Sequence, residues 1–461
     1  VVLRGKDKRE VLKVGENIYY QHAQTKGIQI GNQYSNNIST ALRANPLIPV
    51  FNSNGDYFSY NDFKASGTSP TGWFSYNQYS SNPEYLLTMT QGANNKSRNM
   101  NLNAVGYVEI SPWKGFKYRG QIDYKSYASS WKGMTKAYKI NDSSDGQQAS
   151  TSLTQNETLG WNWGTTHTFN YVFDVSKHHF DALFGMEYSR EGNNMGDYMQ
   201  ATATGFMFDP NGLDYAYLRN FTDRSKATVD GTPASNDHSL MSYFGRINYN
   251  WNETYMLTAI LRADGSSNFA KGHRWGWFPS FSAGWVVTNE KFMEKTRSWL
   301  DYLKLRTSWG QNGNENIGQF MYTGTFAFGS DGLYSFNNDK ESGTQGGYPT
   351  RLPNPDITWE TSEQFDAGFD ARFLRQRLNL TFDYYVKKTK DLLLSVPIPP
   401  ENGFSSNVQN AGTVENKGIE IALSWRDRIG SDFEYNVGWN LAYNHNEVTK
   451  VNNGNHYING S

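Results

Sequence analysis

The sequence predicts an all-β chain, an antiparallel transmembrane β-barrel, and three observations carry that prediction. Apolar and polar residues alternate with a period of two in segment after segment. Many of these segments run nine residues or longer, and the connections between them are alternately short and long. A strand points successive side chains to opposite faces, so period-two alternation makes one apolar face and one wet face. Nine to eleven residues cross a bilayer when tilted, whereas strands of ordinary soluble sheets average five or six. Short turns at one end and long loops at the other are the usual asymmetry of a membrane barrel.

Taken along the chain, the first strands fall at about 10–21, 101–110 and 116–125. In the third, Phe116, Tyr118, Ile122 and Tyr124 alternate with Lys117, Arg119, Gln121, Asp123 and Lys125. Strands at about 166–174 and 180–188 follow. Over 241–251, Met241, Tyr243, Gly245, Ile247, Tyr249 and Trp251 alternate with Ser242, Phe244, Arg246, Asn248 and Asn250. The pattern resumes at Tyr255, Leu257, Ala259, Leu261 and Ala263 against Thr258, Arg262 and Asp264. It continues at about 280–287 and 303–309. It is clearest over 358–373, 378–388 and 433–443, with a further strand at 418–426, about thirteen in all. Leu257, Leu380, Phe382 and Leu423 then share the apolar face, and Arg262, Asp366, Asp383 and Glu420 the wet one. The tight turns are 111–115, 176–179, 252–254 and 374–377, and the long polar connections 126–165, 189–240 and 310–357. By barrel convention the turns are periplasmic and the loops extracellular. The stretch 289–302 is expected to form a short turn helix.

Composition narrows the class. Mean hydropathy is −0.71 and no run of eighteen apolar residues occurs, which excludes a bundle of transmembrane helices. It does not exclude a barrel, where only alternate strand residues meet lipid. Aromatic residues reach 15%. They fall at strand ends, as in Trp251, Tyr255, Trp285, Trp309, Trp359, Trp425 and Tyr443, which is the pattern of interfacial girdles. A soluble sandwich or propeller would place Val, Ile and Leu on that face instead, and remains the alternative at this point. The net charge of −1 leaves no footprint for nucleic acid, and with no cysteine there is no disulfide, thiolate site or cysteine nucleophile.

Residue patterns that carry reactive chemistry are few. The eight histidines include His178-His179 in a tight turn, but no His-Glu-x-x-His pair. There is no nucleophile elbow and no phosphate-binding glycine loop. Asp142-Ser143-Ser144-Asp145-Gly146 has two acids of a calcium loop and lacks the third and the distal Glu. Asp366, Asp370 and Glu360 read as a hydrated interior. The chain is therefore read as no enzyme, with no catalytic, metal or cofactor residues. The residues best suited to hold a ligand are loop aromatics: Trp73, Phe74, Tyr76 and Tyr79 in an Asn/Ser-rich stretch, and Trp131 in the 126–165 connection. Sugar C–H groups stack on such rings; packing within the loop or against a partner protein would use the same surface.

Several segments carry a resemblance. They are Arg262-Ala263-Asp264-Gly265-Ser266-Ser267-Asn268-Phe269, Arg274-Trp275-Gly276-Trp277-Phe278-Pro279-Ser280, Leu303 to Asn314, Asn354-Pro355-Asp356-Ile357-Thr358-Trp359-Glu360, Asp383 to Leu393, Asn410-Ala411-Gly412 and Asn416-Lys417-Gly418-Ile419-Glu420. Asn45 to Asn52 belongs with them. In order and spacing, over about 40–420, the chain resembles the SusC/RagA family of TonB-dependent outer-membrane transporters of Bacteroidota. The resemblance implies a barrel of roughly 22 strands with a plugged lumen. Residues 1–461 would be part of it, the plug domain, TonB box and last strands lying outside this sequence. It implies residence in the outer membrane among its lipids and lipopolysaccharide, and energised import of oligosaccharides or peptides without a cofactor. A SusD-like surface lipoprotein would pair with the barrel, and TonB would act from the periplasm. A structural barrel in a larger surface assembly and a soluble carbohydrate-binding β-protein are the other readings.

Overall fold

The computed structural model describes residues 1–461 except 6–8, 28–37, 39–40, 43–48, 59–61, 63–94, 140–146, 149–150, 194–198, 205–215, 218–227, 232–237, 335–343, 400, 402 and 452–461. The strands begin with β1 (Val2–Arg4), β2 (Glu10–Thr25), β3 (Asn95–Ile110), β4 (Phe116–Thr135), β5 (Tyr138–Lys139), β6 (Gln147–Gln148), β7 (Ser152–Val175) and β8 (His178–Asn193). They continue with β9 (Met199–Thr204), β10 (Thr228–Gly231), β11 (His238–Trp251), β12 (Tyr255–Ser266), β13 (Trp275–Val286), β14 (Leu300–Asn314), β15 (Thr325–Tyr334) and β16 (Thr344–Arg351). The last are β17 (Glu360–Phe373), β18 (Leu378–Lys390), β19 (Leu393–Pro397), β20 (Ser406–Asn410), β21 (Thr413–Ile429) and β22 (Phe433–Lys450).

Fourteen strands form one antiparallel path, β1-β2-β3-β4-β7-β8-β11-β12-β13-β14-β17-β18-β21-β22, with β9 paired to β7 and β10 to β9. Each long strand pairs with the next long strand of the chain, an up-and-down order that needs only hairpin connections. All thirteen strands read from the sequence lie on this path, and the three-residue β1 joins them. The pairs β5–β6, β15–β16 and β19–β20 are separate hairpins carried by the long connections.

Register separates the faces. Tyr249, Leu257, Ala283, Thr307, Ala367 and Tyr384 are successive cross-strand partners on one face; Asn248, Thr258, Ser282, Ser308, Asp366 and Tyr385 are their counterparts on the other. Leu380, Phe382 and Leu423 fall with the first set, and Arg262, Asp383 and Glu420 with the second. A sandwich would cover its apolar face with a second sheet. Here Leu261 is 49% exposed, Phe281 55% and Trp277 63%, a bare apolar wall that suits lipid and overturns the sandwich alternative.

Aromatic rows bound the wall. At the short-turn end Trp251 stacks on Tyr255 (5.4 Å between centroids) and Tyr255 on Trp285 (6.1 Å). At the long-loop end Tyr243 stacks on Trp275 (6.0 Å). Tyr255 pairs with Trp285 and Gly265 with Trp275, so the rows lie ten residues apart along β12. That is about 34 Å of strand, or about 26 Å along the normal at a ~40° tilt, close to the ~25 Å apolar band of such barrels.

The short turns are tight enough to need left-handed backbone: Ser176, Asn252, Glu253, Leu374, Arg375 and Gln376 all have φ between 50° and 62°. At Gly115 (φ 87°) a Cβ would fall 2.2 Å from the Val172 carbonyl oxygen, so only glycine lets β7 approach that turn. His178 and His179 open β8 rather than lying in the turn; their Nδ1 atoms sit 2.8 Å from the Tyr249 hydroxyl and 2.7 Å from an Asp174 carboxylate oxygen. The stretch expected as a turn helix forms two 3₁₀ turns, Val287–Asn289 and Lys291–Thr296, and Phe292 there packs edge-on against Trp285.

Two expectations need correction. The three long connections are shorter than the sequence suggests, because β4, β7, β8 and β14 run on past the apolar band. Beyond it the residues are mostly polar on both faces, the alternation of hydropathy fades, and Ser, Thr, Asn and Gln form strand without announcing it. Trp131 therefore sits in β4 rather than in a loop. Trp359 is not a girdle residue: it is 9% exposed, its Nε1 donates to the Arg274 carbonyl (2.9 Å), and it packs with Phe269, Phe278 and Ile357 in a small core at the long-loop end.

Candidate functional site

The polar wall is a ladder of ion pairs. Arg306 of β14 reaches across two strands. Its Nη2 donates to Asp383 Oδ2 (2.6 Å) and its Nε to Asp370 Oδ2 (3.2 Å), and Asp366 lies 3.6 Å from Nη1. Thr381 donates to the other Asp370 oxygen (3.1 Å). A Cβ on Gly368 would fall 2.4 Å from Asp383 Oδ1, so glycine there lets the carboxylate lie against β17. Arg262 Nε donates to both Asp264 oxygens (2.8 and 2.9 Å) and Nη2 to Ser242 (2.9 Å), with Glu187 at 3.7 Å; the guanidinium lies 5.5 Å above the Phe244 ring. Arg246 and Asn248 both donate to Asp181 Oδ2 at 3.3 Å. Farther along, Arg119 bonds Glu109 (2.9 Å) and covers Tyr107 at 4.3 Å.

Alternation explains the placement, since each of these residues has inward parity on its strand. These charges are paired yet partly hydrated: the Arg262 and Arg306 side chains are 37% and 30% exposed. Such a wall can present donors and acceptors to a hydrated solute or to another protein segment. Among the described residues no group of three His, Cys, Asp or Glu is placed to hold a metal.

Trp131 pairs with Asn156 and Ser97 and shares parity with Arg119, so it lies on this same polar wall near its long-loop end. Its ring lies over Gly133, where a Cβ would fall 2.2 Å away. Trp73, Phe74, Tyr76 and Tyr79 lie outside the described residues, as do Asp142 to Gly146. The structure therefore brings Trp131 to the wall and leaves the other aromatics unplaced.

Sequence reasoning misses the organisation of the mouth. Phe269 on the β12–β13 loop, Phe278 on β13, and Ile357 and Trp359 before β17 form its core, flanked by Leu240, Ile317, Met321, Leu393 and Val408. Asn354 Nδ2 donates to the Val408 carbonyl (2.8 Å), and Asn410 exchanges two bonds with the Thr358 backbone (both 2.9 Å). A second missed group, at the end of β11, joins His238 to Glu191 and Glu315. Parity would have pointed His238 inward, but its partners are too far away in sequence to be found by pattern.

The family model described as TonB dependent receptor-like, beta-barrel matches residues 41–461. The TonB-dependent receptor SusC of Bacteroides thetaiotaomicron is 29% identical over 443 residues, which is 90% of this chain and 40% of that protein. TonB-dependent receptor P26 of Formosa agariphila is 29% identical over 441 residues, 95% of this chain and 40% of its own length. The chain thus spans about 40% of the length of these relatives. The solved RagAB peptide transporter aligns with TM-score 0.75 over 97% of this chain and 46% of that one, at 24% identity, a likeness of fold. With the family model covering well over half of the sequence, the chain belongs to the TonB-dependent receptor-like β-barrel family of outer-membrane proteins.

Proposed function

We propose that this wall belongs to a SusC-like nutrient importer. It would take up oligosaccharides or peptides with a SusD-like surface lipoprotein, driven through TonB, with a plug domain in the lumen. The long-loop end then faces outward and the short turns face the periplasm. The observation that carries the reading is the pairing of a bare apolar face with an inner wall of hydrated ion pairs on one continuous sheet. Such a wall surrounds a polar passage, and its charges are matched with one another rather than set beside a nucleophile. The SusC relative and the likeness to RagAB support the same reading. Trp131, inward near the mouth, is the described aromatic best placed to stack on a passing solute or to meet a partner; Trp73, Phe74, Tyr76 and Tyr79 are the further candidates. Nothing in this reading breaks a bond, so the bound glycan or peptide leaves unchanged.

The test is uptake by cells carrying the complete protein, using labelled oligosaccharides and peptides, with and without TonB. Uptake lost without TonB is expected. TonB-independent retention of the protein's phenotype would favour a scaffold role instead. Trp131→Ala should weaken solute or partner binding by about 1–3 kcal/mol if the ring is an anchor, and unchanged binding would remove Trp131 from the site.

A further inference from the structure

His238 opens β11 at the long-loop end, three residues beyond Met241, which is level with Trp275 and the outer aromatic row. It lies outside the membrane-spanning part of the strand and has inward parity with Ser242 and Arg246. The side chain is 17% exposed. Its Nε2 lies 3.3 Å from Glu315 Oε2, and its Nδ1 3.5 Å from Glu191 Oε1. The Ser266 hydroxyl is 3.4 Å from the same Nε2. Asn268 Nδ2 donates to both the backbone oxygen and the carboxylate of Glu315 (3.4 Å each), and the Asn268 amide to Ser266 (3.0 Å). Ser239 and Ser267 exchange two bonds beside it (2.9 and 3.0 Å).

These residues are the roots of three loops. Glu191 precedes and His238 follows the β8–β11 connection, Ser266 to Asn268 begin the β12–β13 loop, and Glu315 is the first residue after β14. The other charged groups nearby are accounted for: Asp264, Arg262 and Glu187 pair with one another lower on the wall, and Arg274 donates to the Phe269 carbonyl (3.2 Å). An imidazole facing a carboxylate at each nitrogen is matched to both only as imidazolium, because the neutral ring has one donor and one lone pair. Deprotonation turns one contact repulsive.

We propose that His238 is a proton-operated clamp: as imidazolium it ties the roots of these three loops together at the mouth, and as neutral imidazole it loses the charge that holds both carboxylates and loosens its tie to Glu315. Release loosens Ile317 and Met321, which lie just past Glu315 and pack on the mouth core. The hydrogen bond to Glu315 first, then the charges of Glu315 and Glu191, hold the imidazole above its ordinary value of 6.5 against the opposing effect of burial. The clamp is therefore fully closed below that ordinary value and opens as pH rises through the raised one. The inference rests on the geometry of the mouth and is independent of the transport reading.

The test is amide hydrogen exchange of segments 266–274 and 315–321 in the complete protein. Wild type, His238→Gln and His238→Lys are compared at about pH 5.5 and about pH 8.5, either side of the histidine range. Comparison at equal pH cancels the intrinsic pH dependence of exchange. At the lower pH wild type should exchange severalfold more slowly than the Gln variant, because only the imidazolium then ties Glu191 to Glu315. At the higher pH the two should coincide, while the permanently charged Lys variant stays protected at both. An equal difference between wild type and Gln at both pH values would mean simple packing and overturn the clamp, as would a Lys variant that exchanges like Gln. Should His238→Gln fail to assemble, Glu315→Gln serves in its place: the pH dependence should vanish, and its persistence refutes the proposal.

Discussion

A single arginine moved along one hairpin tests the architecture most directly. Tyr255 and Gly265 mark the two aromatic levels of β12, ten residues apart. Leu257 lies one fifth of the way up this span and Leu261 three fifths, near the middle of the bilayer. An arginine on the lipid face costs about 2–4 kcal/mol at the midplane and about 0–1 near an interface. Leu261→Arg should therefore cost about 2–4 kcal/mol, or roughly 30- to 1000-fold in the folding equilibrium, and Leu257→Arg about 1–2 kcal/mol. Ser282→Arg, on the opposite face between Thr258 and Ser308 and one strand pair from Asp366, should cost less than about 1 kcal/mol, because the wall there is already wet. The assay is reversible folding into lipid vesicles in urea, read from the midpoint at constant slope. The reasoning fails if Ser282→Arg costs as much as Leu261→Arg, or if Leu257→Arg costs more than the deeper site.

Three further outcomes follow from the same geometry. Arg306→Met leaves Asp366, Asp370 and Asp383 facing one another, and should cost about 1–3 kcal/mol after allowance for solvent screening. Adding Asp383→Asn should recover part of that loss, and a double-mutant cycle with no coupling would refute the network. Arg375 holds φ 60° between two other left-handed residues, so Arg375→Gly should raise thermal stability by about 0.5–1 kcal/mol; a loss instead would show that the side chain matters more than the backbone. Single cysteines in this cysteine-free chain should distinguish the ends, an impermeant maleimide on intact cells labelling Asp145→Cys but not Lys114→Cys. The reverse pattern would invert the topology.

Most of the wall is legible in the sequence because lipid on one side and water on the other imprint a period of two on every strand that crosses. The imprint stops where the lipid stops. Gln155, Asn156, Glu157 and Thr158 in β7 are polar in succession, so their pairing with β4 leaves no hydropathy signal, and Trp131 reads as loop for that reason. Trp359 misleads differently. It follows the alternating pattern of 358–373, but the strand begins only at Glu360, and the ring turns into the mouth core. The ion-pair ladder is half visible: parity puts Asp366 and Asp383 on the wet face, while the reach of Arg306 across two strands depends on a register that the sequence alone does not state.

The motifs that carry the family resemblance converge in space on one structure, and that convergence explains why they are spaced so far apart. Asn268-Phe269, Phe278, Asn354, Ile357 to Trp359 and Asn410 come from separate loops and strand ends, and they meet in the mouth core and its amide bonds. A β-wall is held by hairpins between neighbours, so nothing in it links β12 to β17 or β20 beyond the bilayer. The loops must supply those links themselves. An apolar cluster of Phe269, Phe278 and Trp359 does so without regard to pH, while the backbone of Thr358 is fixed by Asn410. Beside this permanent fastening lies the only described histidine facing carboxylates at both ring nitrogens, His238. The mouth thus combines a fixed anchorage of aromatic rings with one titratable tie, an arrangement that permits the loop after β14 to move while its far end stays held at Trp359.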